Sequence, residues 1–129
     1  MNDNPFGEFV YRYTRAQAIA DGLQIEATQL AAEAGIRFPV FITRRAFDAF
    51  VTVPLNVTGQ DETGRLWDIL WMLRFALAKA KPGQTRLPFG FFVRNDNRCP
   101  RRVNLLATCG PLDVDDPRPA ITIMMLDED

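Results

Sequence analysis

GQDETGRLWDILWMLRFALAKAK, residues 59 to 81, is the stretch whose reading decides the fold. Leu66, Ile69, Leu70, Leu73, Ala76, Leu77 and Ala80 recur at helical spacing and predict an amphipathic helix of about twenty residues with one apolar stripe. Trp67, Trp71 and Phe75, four apart, form a second stripe beside the first. Asp61 and Glu62 put negative charge at the helix start, and Lys79 and Lys81 put positive charge at its end, so the dipole is compensated at both termini. A helix with two neighbouring apolar stripes either packs between a sheet and another layer or shows one stripe to a partner.

Downstream of Lys81-Pro82-Gly83 the apolar period changes from helical to two. LPFGFFVRND and RRVNLLATCG are expected to pair as antiparallel strands around a turn at Asn95 to Pro100, with Ala120 to Leu126 as a third strand. The acidic segment Leu112 to Pro119, with two prolines, reads as a solvated loop. Upstream, Phe9 to Tyr13 reads as a short strand, and Thr14 with Gln17 as the capping box of a helix that Gly22 stops. Leu23 to Ala27 alternates as a strand, and Thr28 is expected to cap a second helix that Gly35 ends. After Pro39, Val40 to Thr43 is extended or leads into a third helix, capped by Thr43, that Pro54 terminates. The expected class is α+β in a single domain over residues 1–129. Short N-terminal strand-helix units precede one long central helix, which packs on a C-terminal antiparallel β-meander.

With 129 residues, 47% of them apolar and 24% charged, the chain matches an ordinary globular domain. The longest apolar run, Leu66 to Ala80, is interrupted by Asp68, Arg74 and Lys79 and is too short and too charged for a bilayer span. The opening MNDNPFGEFVYRYT is acidic and lacks an apolar core, so no secretory signal is expected and the cytoplasm is the expected compartment. Cys99 and Cys109 lie ten residues apart in one extended segment. That distance of about 33 Å is far beyond the ~5.5 Å a disulfide requires, and Cys109 reads as a small core residue.

The chain contains no histidine and no serine. Catalytic triads, Cys-His dyads, His-ligated zinc and imidazole acid–base chemistry are therefore excluded. Two cysteines are too few for a thiolate zinc site, and neither GxxxxGK[ST] nor GxGxxG occurs, so no cofactor or metal is expected. Asp113, Asp115 and Asp116 lack the glycine and terminal glutamate of a calcium loop. On these grounds an enzyme is not the favoured reading.

Two candidate sites follow. Lys81 to Arg102 carries a net charge of +5 and Val103 to Asp129 a net of −5, against −1 for the whole chain. Arg94, Arg98, Arg101 and Arg102 around the hairpin tip, with Phe91 or Phe92 nearby, have the makings of a phosphate grip with a stacking ring. The plainer expectation is that the acidic loop and the DED tail neutralise them, and the pI of 5.4 favours it. Trp67, Trp71 and Phe75 are the other candidate, an aromatic anchor for a protein partner. Here too the plainer expectation is preferred: the ring stripe completes the core, and Trp71→Ala then destabilises by ~3–5 kcal/mol.

YRYTRAQAIADG near the start, GQDETGRLWDILWMLRFALAK, FFVRNDN and the ending AITIMMLDED together resemble an uncharacterised bacterial family, a domain of unknown function carried on plasmids, prophages and other mobile elements. The resemblance implies a stand-alone accessory protein, in an anti-defence setting, with a host or element-encoded protein as partner. It supplies no catalytic residues. The opening Tyr11-Arg12-Tyr13-Thr14-Arg15 is also similar to the start of ADP-ribosyltransferase folds, which need a glutamate late in the sheet. Glu128 is the candidate, in a tail expected to fray.

Overall fold

The computed structural model describes residues 13–129. Helix α1, Arg15–Ala20, starts where Thr14 and Gln17 form the reciprocal capping box and ends in a turn at Gly22, whose φ of 75° suits a residue without a β-carbon. Strand β1, Gln24–Glu26, follows, then α2, Thr28–Glu33, closed by Gly35 in the same manner. Thr28 does not cap α2. Its hydroxyl accepts from the Val40 N–H at 3.1 Å and so ties the helix start to the next strand. That strand, β2, is Val40–Thr43, and it leads into α3, Arg44–Phe50, which Thr43 caps through the Ala46 N–H. The strand expected over Phe9 to Tyr13 lies, apart from Tyr13, outside the described residues.

The long helix α4 is Glu62–Ala78, seventeen residues, with Asp61 accepting from the Gly64 N–H at 2.6 Å as its cap. Strands β3, Arg86–Val93, β4, Arg101–Asp113, and β5, Asp116–Met124, form the expected antiparallel meander. The N-terminal strands do not stand apart from it. β2 pairs in parallel with β5, Val40 opposite Ile121 and Ile42 opposite Ile123, giving one five-stranded mixed sheet in the order β1-β2-β5-β4-β3. One face carries Val40, Ile42, Phe89, Phe91, Leu105, Ala107, Ile121 and Ile123, and these pack with Ala31, Ala46, Ile69, Leu70 and Leu73 of the helices into the main core. No helix among the described residues is long and apolar enough to cross a membrane.

The acidic segment is a hairpin and not a loop. β4 runs to Asp113 and β5 resumes at Asp116, so only Val114 and Asp115 turn. β2 pairs no further than Ile121 and β3 no further than Thr108, which leaves the far end of β4–β5 as a two-stranded ribbon. Pro111 and Pro119 face each other there, where no third strand needs their missing N–H groups. Cys109 sits where this ribbon leaves the sheet and is exposed, contrary to the expectation of burial; both cysteines are free thiols.

Arg15 fastens α1 to the ribbon. Its guanidinium lies 4.1 Å over the Phe41 ring and donates to the Leu112 carbonyl at 2.6 Å, to Gln24 Oε1 at 2.8 Å and to Thr122 Oγ1 at 3.0 Å. Asp113 accepts from the backbone N–H groups of Val114, Arg15 and Ala16, and these bonds hold its carboxyl below the usual carboxylate range. A depressed folded value means that its stabilisation is complete above the unfolded pKa of about 3.9 and is lost as the pH falls through the folded one. Asp113→Asn is expected to flatten the fall of the urea midpoint below about pH 4 and to leave the shape of the curve above it unchanged. An acid limb as steep as wild type would contradict this role.

Candidate functional site

α4 lies against β3 and α2 and divides into the two expected stripes. Ile69, Leu70 and Leu73 are fully buried, with Leu66, Ala76 and Leu77 packed beside them. The ring stripe does not complete the core. Trp67 is half-buried against it, but Trp71 is 37% and Phe75 49% exposed, and Met72 next to them is 38% exposed. The sheet already fills its helix-facing side with Phe89, Phe91 and Leu105, and one helix cannot turn both stripes toward it.

The exposed rings pack on one another. Trp67 and Trp71 stack with centroids 5.9 Å apart and planes 17° apart, and Phe75 meets Trp71 edge-on at 5.6 Å and 87°. Arg74 closes the side of the ladder, its guanidinium 5.2 Å from the Trp71 ring centre. The same guanidinium crosses Gly35, where a β-carbon would meet Nε at 2.8 Å, so the glycine that ends α2 also makes room for Arg74. At its N-terminal end the ladder runs into a cleft of about 580 Å³ lined by Leu30, Gln60, Asp61, Thr63, Trp67 and Asp68 among others. Partial loss of water holds the Asp68 carboxyl above its ordinary range, and among the described residues it has no hydrogen-bond or ion-pair partner. The surface thus combines aromatic area, a flanking cation and a carboxylate open to a donor.

The hairpin arginines do not form one cluster. Arg94 is folded back, donating to the Thr58 carbonyl at 2.6 Å, while Asn97 bonds both the Thr58 N–H and the Asn56 carbonyl. The β3–β4 connection is therefore stitched to the α3–α4 linker. Register places Phe92 opposite Arg102 on the face turned from α4, and Arg101 opposite Val93 on the other. Arg98 lies in the connection. The acidic segment and the tail do not neutralise them either: Asp116 pairs with Arg118, Asp127 with Arg45, and Asp129 with Arg86.

Tyr11 and Arg12 lie outside the described residues. Tyr13 donates to Asp21 at 2.7 Å and shares with Glu128 a cleft of about 500 Å³. Glu128 is not in a frayed tail, because it accepts from Thr43 Oγ1 and from the Met125 N–H, both at 2.8 Å.

One residue of consequence escaped the sequence reading. Arg65, 5% exposed, donates to Gln60 Oε1 and the Thr52 carbonyl at 2.9 Å, to the Phe50 carbonyl at 3.4 Å, and to the Arg94 carbonyl. Burial, and the neighbouring Arg94 to a lesser degree, hold it below the usual arginine range. The available signal was its place four residues before Ile69, in line with the core stripe. No family model, curated protein or solved structure matches the chain, so the site is read from its own geometry.

Proposed function

We propose that this protein is a non-catalytic binding module that docks a protein partner on the exposed stripe of α4. The observation that carries the reading is the exposure of Trp71 and Phe75 within a pre-stacked ladder. Tryptophan and arginine are the side chains most enriched where binding energy concentrates, and rings already held by their neighbours lose less freedom on binding. Asp68 at the rim favours a partner that brings a cation or a hydrogen-bond donor, since its carboxylate has no ion-pair partner among the described residues. The resemblance to proteins of plasmids and prophages suggests the setting, an accessory role toward a host or element-encoded protein.

Affinity capture with three full-length forms tests this. Wild type and Leu55→Ala, which alters an exposed leucine in the α3–α4 linker, are expected to retain one common partner. The double variant Trp71→Ala, Phe75→Ala is expected to bind that partner about a hundredfold more weakly. A double variant that is folded and still captures the same protein as tightly as wild type removes α4 as the binding surface.

A further inference from the structure

We infer that the face of the β3–β4 hairpin turned away from α4 is a second, independent binding surface, and that its ligand is single-stranded nucleic acid. Phe92 stands on that face at 63% exposure, the most exposed of the large aromatic residues among the described positions. Its cross-strand partner is Arg102, and the next pair on the same face is Gly90 with Asn104, which is exposed. The Arg102 guanidinium lies broadside over Gly90: a β-carbon at that position would meet its Nη2, Cζ and Nε at 2.5 to 2.8 Å. A glycine in mid-strand weakens a sheet, and this one leaves the space in which a planar cation rests beside an open ring. An exposed phenyl, a flat guanidinium and a side-chain amide side by side can stack an unpaired base, hold its phosphate and bond its edge.

Charge decides between this reading and a plain polar turn. Of the six acids after Val103, Asp113 is held by the backbone of α1, Asp116 by Arg118, Asp127 by Arg45, Glu128 by Thr43 and the Met125 N–H, and Asp129 by Arg86, and Asp115 pairs with no guanidinium among the described residues. Asp96 is the one carboxylate in the β3–β4 connection, and it accepts from the Arg98 N–H without pairing with any guanidinium. Among the described residues Arg98, Arg101 and Arg102 therefore have no carboxylate partner, and their positive charge is free to attract a polyanion despite the net charge of −1. A ring on an open sheet face needs an unstacked base, which a duplex does not offer and a single strand does.

The test is fluorescence anisotropy of a labelled oligothymidylate titrated with the full chain at low salt, with duplex DNA and inorganic polyphosphate as competitors. Binding is expected to weaken steeply with salt, and Arg102→Ala to reduce the log–log salt slope by about 0.7. Phe92→Ala is expected to weaken binding by about tenfold or more, and Phe92→Tyr, which keeps the ring, to bind like wild type. The α4 double variant Trp71→Ala, Phe75→Ala is expected to bind the oligonucleotide normally, so the two surfaces are tested separately. The inference is overturned by absence of binding at low salt, by a Phe92→Ala protein that binds like wild type, or by duplex or polyphosphate competing as well as the single strand.

Discussion

Arg65→Met is expected to lower the unfolding free energy by about 3–5 kcal/mol, through lost charged hydrogen bonds and carbonyls left without a donor. Arg65 is the junction at which three segments meet: its donors satisfy carbonyls at the end of α3, in the linker that follows, and at the end of β3, and Gln60 at the start of α4 completes the set. A hydrogen bond from a charged group contributes about 1.5–3 kcal/mol, and a carbonyl left buried without a donor costs about 1–3 kcal/mol. Methionine fills the volume of the stem and supplies none of the donors. Gln60 Nε2 still reaches the Arg94 carbonyl at 2.8 Å, which limits the loss at that oxygen but not at Phe50 and Thr52. Urea unfolding measures the effect, and a midpoint within error of wild type would show that the junction does not hold the α3, α4 and β3 ends together.

Leu73→Ala is expected to lose about 3–4 kcal/mol. Leu73 is fully buried in the centre of the α4 stripe that faces the sheet, where the backbone of a packed helix cannot collapse into the void. Two positions earlier on the same helix, Trp71→Ala is expected to cost less, about 1–3 kcal/mol, from its ring contacts with Trp67 and Phe75 and the part of its area that is buried. That value lies below the ~3–5 kcal/mol expected if the ring stripe completes the core. Equal losses at the two positions would mean that both stripes are core.

The elements whose signals are local were legible. The capping box at Thr14, the glycine stops at Gly22 and Gly35, the cap at Thr43, the acidic start of α4 at Asp61 and Glu62, and the change of period at Pro82 each act within a few residues, and each marks a real boundary. What depended on distant neighbours was not. Thr28 looks like a cap but bonds β2, and Cys109 alternates with core residues but falls where the sheet narrows to two strands. Pro117 and Pro119 look like loop residues because the sequence does not show that β2 stops short of them. The parallel pairing of β2 with β5 joins residues about eighty positions apart, and no periodicity announces it.

The candidate sites show the same division. Spacing alone placed Trp67, Trp71 and Phe75 on one stripe of α4, but which stripe faces the sheet depends on how much ring area the sheet itself supplies. Around the hairpin, composition grouped four arginines that register then separates: Arg102 lies beside Phe92, Arg101 lies on the opposite face, and Arg94 is folded onto the linker.

The exposure of the α4 ladder can be measured directly, because the chain has only two tryptophans. In Trp67→Phe the emission comes from Trp71 alone. Acrylamide quenching of that emission in the free, folded protein is expected to be efficient, with a maximum shifted to the red. A blue-shifted Trp71 that acrylamide does not reach would place the ladder in the core and contradict the proposal that α4 presents it to a partner.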